Sequence, residues 1–252
     1  MSRTEPGLGT SKGKRNPKLL FLFLSAIILL GTVLGVLYHL LQQSQVKSTT
    51  RLLTWIPHPE KYPHWKRDAL SACPGAPFLF PTEGYIGYLW GDSFRPGHLH
   101  QGVDIFSGQE PGKMPVYAVY QGYLTRLPAW KSSLIVRLPH DPLRPDRQIW
   151  TYYTHLAGPE GKSYINDNFP PGTRDVFVEQ GALLGYQGNF SGTPGKPVGV
   201  HLHFSIVKDD GQGHFKNELE KDNTLDPSPY FRLPLNIAME PDFPITSCLE
   251  KE

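Results

Sequence analysis

Apolar and polar positions divide the chain into two unlike parts. From Leu19 to Tyr38 runs a stretch of twenty uncharged, mostly apolar residues, LLFLFLSAIILLGTVLGVLY. A helix of that length spans roughly 30 Å at about 1.5 Å per residue, enough for one membrane crossing. From Pro77 onward the pattern changes to short apolar runs separated by Gly, Pro, Asn and Asp. These runs are Ile86 to Trp90, Val103 to Phe106, Val116 to Tyr123, Ser133 to Leu138, Gln148 to Leu156, Asp175 to Val178 and Val200 to Val207. Their length and spacing predict strands in an all-β domain with long loops, and no helix is expected between residues 77 and 233.

The expected organisation is therefore a basic tail over 1–17, a single transmembrane helix within 18–41, a stalk over 42–76, a β domain over 77–235 and a tail over 236–252. Arg3, Lys12, Lys14, Arg15 and Lys18 precede the apolar stretch, whereas Lys47 and Arg51 follow it. This asymmetry predicts a cytosolic N-terminus and an extracytoplasmic domain. The stretch exceeds a usual signal-peptide core, and Tyr38 to Gln43 offers no small-residue cleavage site, so an uncleaved anchor through residues 19–38 is expected. Two long connections, Pro139 to Arg147 and Ala157 to Arg174, are expected as functional or mobile loops.

Composition narrows the chemistry. A formal net charge of +2, with no basic and aromatic stripe, argues against a nucleic-acid partner. The only two cysteines, Cys73 and Cys248, lie in no metal-binding spacing. An oxidising compartment would let them pair if their Cα atoms come within about 7 Å, and the sequence leaves that open.

The candidate chemistry lies in ten histidines, several of them clustered. In Val200-His201-Leu202-His203-Phe204-Ser205-Ile206, an extended strand puts Val200, Leu202, Phe204 and Ile206 on one face and His201, His203 and Ser205 on the other. Two same-face imidazoles with Cα atoms roughly 6.6 Å apart can divide metal binding and substrate contact between them. His100 and Asp104 are four apart around Gly102; a straight strand would hold them about 13 Å apart, so a shared metal requires a bend there, which Gly102 permits without placing a side chain in the metal's space. His98 forms a second His-x-His with His100 and is the alternative ligand, although the spacing to Asp104 favours His100. Two imidazoles and one carboxylate suit Zn²⁺ with an open position for water. There is no His-Glu-x-x-His helix, so the proton-handling groups must come from elsewhere. His155, ending Trp150-Thr151-Tyr152-Tyr153-Thr154-His155, is the leading candidate.

Taken in order, His100-Gln101-Gly102-Val103-Asp104, Tyr153-Thr154-His155-Leu156 and Val200-His201-Leu202-His203-Phe204 resemble the HxGxD, YxHL and HLHF segments of the M23 peptidases, the LytM/lysostaphin-type zinc endopeptidases. Gly181 to Gly188 resembles the turn before the HLH strand, and Asp226-Pro227-Ser228-Pro229-Tyr230-Phe231 resembles the closing motif. The resemblance covers about residues 78 to 233. It implies a mainly β, antiparallel, sandwich-like sheet with its site in a groove. Zinc would be held by His100, Asp104 and His203, with His155 and His201 catalytic and peptidoglycan stem peptides or cross-bridges as substrate. The alternative function is a non-catalytic wall-binding regulator of a separate amidase.

Overall fold

The computed structural model describes residues 17–250 except Phe94 and Pro96; within the first helix, the side chains at 17, 19–21 and 37–47 also lie outside the described residues. The basic residues expected on the cytosolic side therefore lie outside them, apart from Lys18. The chain divides into two compact units, Met1–Gln43 and Ser44–Glu252. One helix, α1 (Pro17–Trp55), passes through the division. Among the described residues, no helix is long and apolar enough to cross a membrane. Within the expected span, Leu19–Tyr38, the described side chains are those of residues 22–36.

The second unit is built on an eight-stranded antiparallel sheet. Its strands are β1 (Tyr85–Tyr88), β2 (Val103–Phe106), β4 (Gly122–Thr125), β5 (Leu134–Leu138), β6 (Ile149–Thr154), β7 (Val176–Val178) and β9 (Leu202–Lys208), with β10 (Thr224–Leu225) paired to β9. They lie in the order β1-β2-β9-β6-β5-β4-β7. β3 (Pro115–Tyr117) and β8 (Leu183–Tyr186) form a separate two-stranded ribbon. The expected mainly β, antiparallel class is thus the observed one. The apolar run Val116 to Tyr123 is not one strand: its first half pairs with β8, whereas Gly122 onward pairs with β5 and β7.

Alternation places Leu202, Phe204 and Ile206 of β9 in the main core, beside Val103, Ile105 and Tyr153. The opposite face of the same sheet carries a smaller cluster of Ile135, Trp150, Tyr152 and Val207. At one end of that face stand His201 and His203. β9 therefore has a dry face and a chemical face, as period-two alternation requires.

Several segments outside the sheet differ from expectation. Residues 42–76 do not form a separate stalk: α1 continues to Trp55, which is fully buried with Leu52, Tyr85 and Phe106. Residues 236–252 are not a loose tail, since Ile245 is buried in the core and Cys248 forms a disulfide with Cys73 at a Cα separation of 5.7 Å. Closing a loop across 175 residues removes denatured-state entropy worth about 5 kcal/mol in the chain-entropy picture. The two long connections are also anchored. Buried Asp141 accepts hydrogen bonds from Arg147 (Nε, 3.0 Å) and from the Tyr230 hydroxyl (2.8 Å), pinning 139–147. Ile165 and Phe169 enter the core and Arg126 donates to the Phe169 carbonyl at 2.8 Å, pinning 157–174. A short helix, α2 (Ser228–Phe231), also stands where none was expected.

Candidate metal centre

The site is assembled by strand register. β2 runs antiparallel to β9 with Asp104 opposite His203, and β6 flanks β9 on its other side with Thr154 opposite His203. Asp104 and His203 are therefore forced together by the ladder itself. His155 follows Thr154 in a left-handed backbone conformation (φ 69°), unusual for a residue with a Cβ. That conformation turns the chain sharply at the end of β6, and the His155 ring lies 4.4 Å from that of His201.

The first histidine arrives differently. His100 lies on no strand; its backbone N–H donates to the Asp92 carbonyl (2.7 Å) and its carbonyl accepts from Gly91 N–H (2.8 Å). Its ring nitrogen Nδ1 lies 3.0 Å from the Leu89 carbonyl. A carbonyl can only accept, so Nδ1 carries the proton and Nε2 presents a lone pair. That Nε2 lies 3.1 Å from Asp104 Oδ1 and 3.0 Å from His203 Nδ1, while His203 Nδ1 lies 2.8 Å from the same carboxylate oxygen. Gly102 has a different part from the expected one. A Cβ there would lie 2.0 Å from the Phe204 carbonyl, so the glycine lets β2 approach β9 rather than clearing space for an ion.

His100, Asp104 and His203 thus form one group of donor atoms able to hold a metal ion. A tetrahedron with bonds of about 2.0–2.1 Å has edges of roughly 3.3 Å, and three donor pairs at 2.8 to 3.1 Å come close to that. A carboxylate oxygen and two ring nitrogens at these distances share a positive centre, whether a proton or a metal ion. Burial disfavours charge on Asp104, but His100 and His201 more than offset this and hold its carboxyl well below the usual range. Burial likewise works against a charged His100, and Asp104 overrides it and raises the His100 pKa. His203 Nδ1 faces the same oxygen, yet burial lowers its pKa. The donor set accordingly fits Zn²⁺. Among the described residues His98 is not part of this group; its ring lies beside the Gln101 amide (3.4 Å).

His201 and His155 sit beside this group with matching tautomers. His201 Nδ1 lies 2.6 Å from the Gly199 carbonyl and His155 Nδ1 lies 2.7 Å from the Phe190 carbonyl, so each donates there and keeps Nε2 as an acceptor. Burial pushes the His201 pKa down to about 3 and lowers that of His155. Both are neutral at physiological pH. Phe106, at the end of β2, stacks on His201 with centroids 4.8 Å apart and planes 21° from parallel. Phe106, Leu89 and Asp92 are supporting residues that motif reading missed. Phe106 and Leu89 left a trace there only as apolar members of the runs Val103 to Phe106 and Ile86 to Trp90, and Asp92 left none.

No family model matches the chain, and no curated protein matches it. Among solved structures it is similar to the antimicrobial peptidase lysostaphin from Staphylococcus simulans, with 20% identity and a TM-score of 0.37, over 59% of this chain and 49% of that one. A zinc containing peptidase from Vibrio cholerae aligns at 18% identity and a TM-score of 0.34, over 54% and 36%. A variant catalytic domain of the prophage-encoded M23 protein EnpA from Enterococcus faecalis aligns at 20% and 0.34, over 59% and 95%. The chain spans about half the length of lysostaphin. The chain is similar to M23 peptidases both in three ordered motifs and in the solved structures it matches.

Proposed function

We propose that the protein is a zinc-dependent endopeptidase that cleaves peptide bonds of peptidoglycan. The observation that carries this reading is the convergence of His100, Asp104 and His203 on one point with neutral His155 and His201 beside it. When bound, Zn²⁺ supplies Lewis acidity and makes water acidic enough to attack a carbonyl near neutral pH. His100, Asp104 and His203 would hold it. The side chains of His155 and His201 handle protons: with Nδ1–H committed to a carbonyl, Nε2 of either ring can accept the proton of the attacking water. Once protonated, the same Nε2–H is the donor that a developing oxyanion, and then the departing amine, requires. Peptidoglycan as substrate rests on the motif resemblance.

We also propose that α1 anchors the protein in the cytoplasmic membrane through residues 19–38, with the N-terminus cytosolic and the catalytic unit outside. Support comes from the row of exposed apolar side chains between Leu22 and Val36. The test of function uses the full-length chain in detergent, loaded with Zn²⁺ and incubated with purified peptidoglycan. New amino termini should appear and should vanish on chelation; a zinc-loaded protein that releases none from sacculi or cross-linked peptides defeats the proposal. Resistance of the protein to alkaline extraction from membranes tests the anchor.

A further inference from the structure

The C-terminal turns of α1 end on the back of the candidate metal centre. Ser48 is buried, and its hydroxyl donates to Oδ2 of the buried Asp92 at 2.7 Å. Asp92 closes a turn: its N–H donates to the Leu89 carbonyl (3.1 Å), the same oxygen that accepts Nδ1–H of His100. The Asp92 carbonyl in turn accepts the His100 backbone N–H. At the next residue, Thr49 and Tyr88 share a hydroxyl hydrogen bond (2.9 Å), and the Tyr88 ring meets His100 edge-on at 6.2 Å. Leu52 and Trp55 then pack with Phe106, whose ring stacks on His201.

We propose that residues 48–55 are a positioning element of the site: Ser48 clamps the Leu89–Asp92 turn that orients His100, and Leu52 with Trp55 backs the ring that orients His201. The proposal rests on the metal-centre reading above. Its physical basis is that a buried carboxylate holds one geometry only while its hydrogen bonds are satisfied. Removing the Ser48 hydroxyl leaves Asp92 Oδ2 short of a donor, and the turn that fixes the His100 tautomer loses its clamp. Outer partners of a ligating histidine set its orientation and affect metal affinity by about 10–100-fold.

The test compares full-length wild type, Ser48→Ala, Asp92→Asn and Tyr230→Phe. The last removes an equally buried hydrogen bond to Asp141, away from the site. Zinc affinity is measured by chelator competition, and site geometry by the visible spectrum of the Co²⁺-loaded protein. Ser48→Ala should weaken zinc binding about tenfold and shift the Co²⁺ bands, while Tyr230→Phe lowers thermal stability with affinity and spectrum unchanged. Should Ser48→Ala fail to fold, Asp92→Asn carries the same comparison. Unchanged affinity and spectrum in both site variants, or an equal loss in Tyr230→Phe, would overturn the proposal. Wild-type protein that binds neither metal removes the metal-centre reading and this inference with it. Wild-type protein that binds zinc but leaves peptidoglycan intact overturns only the substrate.

Discussion

The chain contains the same three-residue pattern twice, and the two copies do different things. His201-Leu202-His203 enters a strand flanked on both sides, so the two imidazoles share one face, and Asp104 stands opposite His203. His98-Leu99-His100 lies off any strand, and there the alternation has no force: His100 turns inward to Asp104, Leu99 is exposed, and His98 turns to Gln101. A spacing is chemically meaningful only through the backbone that carries it. In the strand copy one histidine is in the candidate donor group and the other stands beside it; in the loop copy only His100 is in that group, among the described residues.

Substitutions at the strand copy should have the largest effects. His203→Ala removes a donor common to two of the three close pairs and should abolish cleavage, read as released amino termini falling to the chelated background. His201→Ala and His155→Ala should leave the donor set intact and lower kcat by about 10²–10⁴-fold, with both measured in the same assay. Gly102→Ala attacks the join between loop and strand. A Cβ there meets the Phe204 carbonyl at 2.0 Å, and the stability loss should reach roughly 3 kcal/mol, read from denaturant unfolding. His98→Ala should be the mildest, leaving metal content and kcat at wild-type values. A loss like that of His203→Ala would erase the difference between the two copies.

Sequence legibility followed the same divide between strand and connection. β2 over Val103–Phe106 was legible residue for residue, and β9 with its two faces was legible in kind, because period-two alternation is a local signal. The end of α1 was not. Its polar composition, QQSQVKSTTR, hides a buried stripe at Ser48, Leu52 and Trp55, spaced four and three apart, that reads as a helix face only once a partner surface is known. The resemblance places Gly181 to Gly188 in a turn, yet Leu183–Tyr186 form β8, and a Cβ at Gly185 would meet the Tyr164 carbonyl at 2.6 Å, so the glycine is there for close packing. The anchoring of 139–147 and 157–174 depends on contacts distant in sequence, Asp141 with Tyr230 across 89 residues and Phe169 with Arg126 across 43. The approach of His100 to Asp104 was legible from their spacing, whereas Leu89, Asp92 and Ser48 behind it were not, since backbone carbonyls and distant hydroxyls leave no motif.

The most direct measurement is the zinc content of the purified full-length wild type, His203→Ala and His201→Ala, determined alongside peptidoglycan cleavage. One zinc per chain in wild type and in His201→Ala, with cleavage reduced in the latter and zinc absent from His203→Ala, is the predicted result. Equal zinc loss in the two variants, or zinc retained by both, would contradict the division of the strand histidines into one that holds metal and one that moves protons.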